Sequence, residues 1–218
     1  MLFAHGRINT EPMADEQVER AERSDLLFGR VGKHVPLLRS LKPGILLFDY
    51  ARPTVASSWT TWLKNYGDGS LPQGIKRWLD DSDADGVLLD TPFEGADPWA
   101  NVKLIDEIQE AIHPRYALVN FGDFDTWAGR TSVAKALAAI TDWQLAEVFL
   151  DINRYTITQF RTRVDAVARA LYNGKRLILG VYDNGRLQPE KAASMMQNWP
   201  ELVYWSYKIS PNDWGFVV

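Results

Sequence analysis

Gly86-Val-Leu-Leu-Asp90 is a short, wholly apolar run that ends in a carboxylate, and its shape recurs in Ile45-Leu-Leu-Phe-Asp-Tyr50 and Glu147-Val-Phe-Leu-Asp-Ile152. Similar runs are Leu2-Phe-Ala-His5, Asp25-Leu-Leu-Phe-Gly29, Tyr116-Ala-Leu-Val-Asn-Phe121, Arg176-Leu-Ile-Leu-Gly-Val-Tyr182 and Leu202-Val-Tyr-Trp-Ser-Tyr207. Continuously apolar segments of this length are how strands covered on both faces read. Between them lie stretches with helical spacing: 15–23, 35–41, 71–79, 101–112, 132–140, 156–172 and 189–199. In the fourth of these, Val102, Ile105, Ile108 and Ile112 form one stripe. The last opens with Pro189, in a first turn where a missing N–H does no harm.

Eight strands alternating with seven helices demand a mostly parallel sheet, since parallel neighbours need a crossover. Eight is also the number that closes a (β/α)8 TIM barrel. The expected fold is therefore α/β: one compact barrel domain over residues 1–218, its eighth helix missing or replaced by the tail Ile209 to Val218. An open doubly wound sheet is disfavoured, because no Gly-rich phosphate loop follows the first strand.

The composition fits one globular domain. The chain has 218 residues, 46% hydrophobic and 24% charged, with a formal net charge of -4, which argues against a nucleic-acid binder. The absence of cysteine excludes disulfides, thiolate metal sites and a cysteine nucleophile. The first residues lack the pattern of a secretory leader, and no apolar run approaches the roughly 18 residues of a membrane span. A soluble protein without membrane partners is expected, its compartment and oligomeric state left open. With three histidines in all, a His-rich metal site is not expected, nor is a cofactor. The aromatic content is the unusual feature, with nine tryptophans.

In a parallel barrel the reactive groups stand at the C-terminal ends of the strands. Asp49, Asp90 and Asp151 each follow three apolar residues directly, so they belong to strand ends more than to loop tips. A carboxylate beside low-dielectric packing has its pKa raised, which is how a general acid is made. Two carboxylates facing one cleft with aromatic walls is the arrangement glycoside hydrolysis needs. Asp90 and Asp151 are the expected catalytic pair. His5, Asp49, Tyr50, Arg52, Glu94, Trp99, Asn120, Asp123, Tyr182, Trp205 and Tyr207 are expected to contact a carbohydrate substrate. Trp59, Trp62, Trp99, Trp127, Trp205 and Trp214 fall on the strand-end side, where flat indole faces pack against sugar rings. Trp78, Trp143 and Trp199 lie in or near helices and are assigned to packing. Asp and Asn are also common turn and cap residues, the plainer role for Asp123, Asp125 and Asp183.

The stretch Trp62-Leu-Lys-Asn-Tyr-Gly-Asp-Gly69, then Ile75-Lys-Arg-Trp-Leu79, then Asp85-Gly-Val-Leu-Leu-Asp90 resembles the middle of glycoside-hydrolase-like TIM barrels related to endo-polygalactosaminidases and, more remotely, to chitinases. The resemblance implies a barrel hydrolase with Asp90 as the acidic residue of strand four. The chitinase-like pattern Asp-Gly-x-Asp-x-Asp-x-Glu is kept at Asp85, Gly86 and Asp90. It is broken by Leu88 at the middle Asp and Pro92 at the Glu, with Glu94 two residues late. That break motivates a second reading, a non-catalytic carbohydrate-binding or structural barrel. Ala4-His5-Gly6-Arg7 is similar to the start of a barrel phosphodiesterase, but the second strand ends Phe28-Gly29-Arg30 without acidic ligands. Lys208 after the last strand could form a Schiff base or simply be solvated. Arg30, Arg52 and Arg154 would neutralise rim carboxylates or clamp an anionic ligand.

Overall fold

The computed structural model describes residues 2–6, 15–51, 70–90, 92–93, 97–122, 130–151, 156–171, 176–182 and 202–207. The strands are β1 (Leu2–Gly6), β2 (Leu26–Gly29), β3 (Leu46–Ala51), β4 (Gly86–Leu89), β5 (Tyr116–Asn120), β6 (Trp143–Asp151), β7 (Arg176–Tyr182) and β8 (Leu202–Tyr207). The helices are α1 (Asp15–Arg23), α2 (Val35–Leu41, entered through a 3-10 turn at Gly32–His34), α3 (Leu71–Ser82), α4 (Pro98–Ile112), α5 (Thr131–Ile140) and α6 (Ile157–Leu171). The architecture is parallel α/β. Each strand pairs in parallel with the next in sequence, and β8 pairs with β1, so the curled ladder returns to its start. The expected helix at 189–199 and the tail at 209–218 lie outside the described residues.

Local sequence explains the helix ends. Asp97 caps α4 by accepting the N–H groups of Trp99 and Ala100 at 3.0 and 3.3 Å, and Pro98 follows in the first turn. Helix α3 also carries a proline in its first turn and stops at Asp83, which takes a left-handed backbone at φ 57°. The expected stripe of α4 is buried at Ile105, Ile108 and Ile112, with Val102 half-buried against the same core. Strand β6 begins four residues before the expected run, so Trp143, close after α5, opens a strand and packs in the core as expected.

Two separate cores lie on the two faces of the sheet. Leu26, Phe28, Phe48, Leu88, Leu118, Trp143, Leu145 and Ile178 pack together on the inner face, with Leu46 and Tyr50 against them. Leu27, Leu47, Ala51, Val87, Leu89, Ala117, Val119, Leu177 and Leu179 pack outward against helix residues such as Ile75, Ile105 and Leu137. Residues two apart share a face, as the pleat requires. At the inner base the Phe48 and Trp143 rings meet edge-on at 5.7 Å between centroids. Phe48 also crosses Gly86, where a Cβ would lie 2.9 Å from the ring and collide with the Tyr116 carbonyl.

The N-terminal ends of three strands are tied by one carboxylate. Asp85 accepts from Arg39 Nη2 at 2.8 Å and from the Leu47 N–H at 2.8 Å, while its own N–H donates to Leu47 O at 2.9 Å. Its carbonyl accepts the Tyr116 N–H at 3.0 Å, and Arg39 Nη1 reaches Ile45 O at 3.1 Å. The Asp-Gly pair of the resemblance is therefore a clamp at the base of β3, β4 and β5. The ionic side chains are partly exposed, 32% for Arg39 and 24% for Asp85, so solvent weakens the pair. Arg39→Ala is expected to cost about 1–2 kcal/mol, and Asp85→Ala more, since it strips the Leu47 N–H and the Arg39 guanidinium together. Urea unfolding would read both, and an Arg39→Ala chain as stable as the parent would remove the clamp from the account.

Asp49 lies on the helix side of β3. It is 3% exposed, between Leu47 and Ala51, and its register partners are Gly29 and Val87. Burial raises its pKa to about 7, opposed by the N–H of Tyr50, the nearby amides of Gly32 and Val31, and the charge of Arg30. The Tyr50 N–H donates to Asp49 Oδ1 at 2.9 Å. The folded chain thus holds this proton more tightly than the unfolded one. The resulting stability is complete below about pH 4 and is lost as pH rises to about 7, a few kcal/mol at most. Thermal midpoints of the parent should fall relative to those of Asp49→Asn across that window. Parallel curves for the two proteins would assign the titration elsewhere.

Candidate functional site

The inner face of the sheet becomes polar at its C-terminal end. Asp90 follows β4 directly, two residues beyond the inner-facing Leu88, and its N–H donates to Ala51 O at 2.9 Å. Its carboxylate joins three strand ends. Tyr50 Oη of β3 donates to Asp90 Oδ2 at 2.6 Å, and Asn120 Nδ2 of β5 donates to Oδ1 at 2.8 Å. Asn120 is buried, at 4% exposure, while Tyr50 and Asp90 are half-buried. The Asn120 amide cannot flip without loss, because its Oδ1 accepts the Gly122 N–H at 2.9 Å. That return bond is a turn two residues on from the Asn, and Gly122 supports it with a left-handed backbone at φ 62°.

This geometry presents Asp90 as an acceptor, since each oxygen receives one hydrogen bond from a positioned donor. Such a group can take a proton, attack an electrophilic carbon or stabilise a developing positive charge. The rim beside it is braced by residues that the motif reading did not single out. Asn101 Nδ2 donates to Pro92 O at 2.9 Å, and the Arg130 guanidinium donates to Phe93 O. The Phe93 ring packs on Phe121 with centroids 5.9 Å apart. Asparagine in a helix's first turn and an arginine before a helix carry no periodic signal, so these braces emerge only once the segments are folded together.

The expected site residues do not all come together. Tyr50, Asp90 and Asn120 come together as one hydrogen-bonded group. Asp49, expected to contact substrate, sits on the opposite face of β3 from Tyr50, because adjacent residues of a strand alternate. Trp99 stands on the first turn of α4, just past the β4 connection, and is 53% exposed. For residues at the ends of other strands the ladder fixes register alone. Asp151, Tyr182 and Tyr207 form one row across β6, β7 and β8, after a register shift between Ala146 and Leu150. Trp205 pairs with Gly180 and with Ala4. His5 pairs with Leu27, a residue of the helix-side core. Arg52, Glu94 and Asp123 lie outside the described residues, as do Arg154 and Lys208. Among the described residues no three His, Asp or Glu side chains converge as a metal ion would require, and no helix is long and apolar enough to cross a membrane.

No protein-family profile matches the chain, and no curated protein matches its sequence. The glycoside-hydrolase-like resemblance is therefore not carried by any family match. Solved structures do match the fold. CutC of Streptococcus agalactiae, named for copper homeostasis, superposes with a TM-score of 0.59 at 13% identity, covering 94% of this chain and 98% of that one. A DUF72 family protein of Enterococcus faecalis V583 gives 0.58 at 9% identity, over 95% and 90% of the two chains. D-psicose 3-epimerase of Clostridium cellulolyticum H10 gives 0.53 at 11% identity, over 100% and 88%. These are TIM-barrel-type proteins with different functions, some of them enzymes. At such identities the likeness is one of fold alone, and the fold is of the TIM-barrel type.

Proposed function

We propose that the chain is a compact, single-domain (β/α)8 barrel that hydrolyses glycosidic bonds in a poly- or oligosaccharide. The observation that carries the reading is the Asp90 carboxylate, held on the inner rim by Tyr50 and Asn120. A second carboxylate, Asp151, stands in the last row of the β6–β7 ladder, on a strand separated from β4 only by β5. In the proposed reaction Asp151 protonates the leaving glycosidic oxygen while Asp90 attacks the sugar carbon or deprotonates a water. Tyr50 and Asn120 keep Asp90 oriented and so reduce the cost of organising it in the transition state. The exposed Trp99 offers a flat face to a sugar ring, and Tyr182, Trp205 and Tyr207 would line the far side of the cleft. Arg52, Glu94 and Asp123 are further contacts for the same ligand, whereas His5 is in register with Leu27 of the helix-side core and is left out of the cleft; the reading calls for no metal or cofactor.

A non-catalytic carbohydrate-binding barrel is the second reading. It is favoured by the engagement of both Asp90 oxygens with side chains of the protein itself. The two readings part on one experiment. Asp90→Asn and Asp151→Asn, each folded by circular dichroism, are assayed for depolymerisation against a polysaccharide panel. Hydrolysis predicts turnover lowered by about 10²–10⁴ in each. If both variants turn over like the parent, the pair is wrong, and parent binding without cleavage would favour the module. Trp99→Ala is expected to raise KM several-fold with kcat within about twofold, because stacking contributes to substrate and transition state alike. A fall in kcat alone would give Trp99 another role.

A further inference from the structure

We propose that Asp49 is a positioning residue: from behind β3 its carboxylate sets the place of Tyr50, and through Tyr50 that of the Asp90 carboxylate on the opposite face. The inference rests on the site proposed above but concerns how that site is held. Two bonds meet at Tyr50. Its backbone N–H donates to Asp49 Oδ1 at 2.9 Å, and its phenol donates to Asp90 Oδ2 at 2.6 Å. A shift at Asp49 therefore acts on the residue that orients Asp90, across one strand and without a change of fold. The pocket around Asp49 has little slack. Gly32 of the connection after β2 leaves no room for a side chain, since a Cβ there would collide with Asp49 Oδ2 and lie 3.2 Å from Ser82 Cβ of α3. The Val31 N–H is itself bonded to Gly29 O at 3.0 Å, which fixes the turn that carries Gly32.

The groups facing Asp49 are mostly uncharged: Gly29 on β2, Val87 on β4, Ser82 behind Gly32, and the amides of Val31 and Gly32. Arg30 is the charge that acts on it, and Lys33 and His34 follow on the same connection. Burial holds the Asp49 proton to about pH 7, so the carboxyl changes charge within the ordinary working range. Loss of that proton strengthens its hold on the Tyr50 N–H, because a charged acceptor makes the stronger bond. Asp49 would thereby couple the neatness of the Asp90 site to pH from outside the cleft, at a position that no substrate touches.

The test reads the site directly, without a substrate. In the 15N-labelled full chain, the backbone amides of Val31, Gly32 and Tyr50 and the side-chain amide of Asn120 are followed by NMR from pH 5 to 8.5. The expected result is one shared midpoint near 7 for all four groups, abolished in Asp49→Asn. An Asn120 amide that stays still while the three backbone amides titrate makes Asp49 merely structural and overturns the proposal. So does a midpoint that persists in Asp49→Asn. Gly32→Ala keeps the carboxyl but displaces it, so it guards against a failure of Asp49→Asn to fold. It is expected to move the Asn120 side-chain amide signal, and a parent-like signal in folded Gly32→Ala counts against the idea. Because nothing is hydrolysed in this experiment, a chain inactive on every polysaccharide can still pass it, which keeps the two proposals separately testable.

Discussion

The pleat of β3 is the constraint on which the rest of the molecule depends. Successive side chains of a strand point to opposite faces, and here each face has its own core. Phe48 and Tyr50 go inward and Leu47 and Ala51 outward, so Asp49 has no choice of side. A register slip of one residue would carry Phe48 into the helix layer and Asp49 into the inner core, inverting every contact of the strand. Such a slip would also part Tyr50 from Asp90, so the packing that stabilises the sheet and the geometry that forms the site are set by the same alternation.

The two ends of the sheet divide the labour. At the N-terminal ends, Asp85 is fully engaged by Arg39, by the Leu47 N–H and by backbone bonds to its neighbours, and its role is to hold β3, β4 and β5 in line. At the C-terminal ends, Asp90 is engaged by a phenol and an amide, groups whose strength and position a ligand can alter. Only four residues, Gly86 to Leu89, separate the two carboxylates in sequence. The base clamp fixes where β4 begins, and the rigid run between then fixes where Asp90 arrives. This is the arrangement expected when stability and chemistry are kept at opposite ends of a parallel sheet.

Much of this was legible in the sequence. The eight apolar runs correspond to the eight strands, since runs of this kind between helical stretches have few other ways to bury their surface. Tyr50, Asp90 and Asn120 could be named as rim residues from their places at run ends. The side of the sheet was harder to read. Both faces of these strands are apolar, so no polar alternation marks which residues point inward, and Asp49 and Asp90 look equivalent in sequence. The start of β6 was hidden for a related reason: Trp143-Gln-Leu-Ala mixes a polar residue into the run. The structure buries Gln144 on the helix side, where its Nε2 donates to Ala138 O and Thr141 O at 3.3 and 3.1 Å. A strand residue that spends its polarity on the neighbouring helix breaks the apolar pattern without breaking the strand.

The same logic shows why Asn120 mattered more than its residue type suggested. An Asn after a strand is ordinarily a turn residue, and Asn120 does make a turn, through its Oδ1 and the Gly122 N–H. What adds a second contact to that ordinary role is that an amide has two ends. Once the oxygen is committed to Gly122, the nitrogen must point the other way, and the place it points to is occupied by Asp90. The Asn-Phe-Gly order therefore specifies a donor direction, with Phe121 anchored in the helix-side core between the two polar residues. An aspartate at position 120 could make the same turn yet would replace the N–H donor that Asp90 now receives with a second carboxyl group. The requirement is for a neutral side chain that accepts on one side and donates on the other, and among short side chains asparagine meets it.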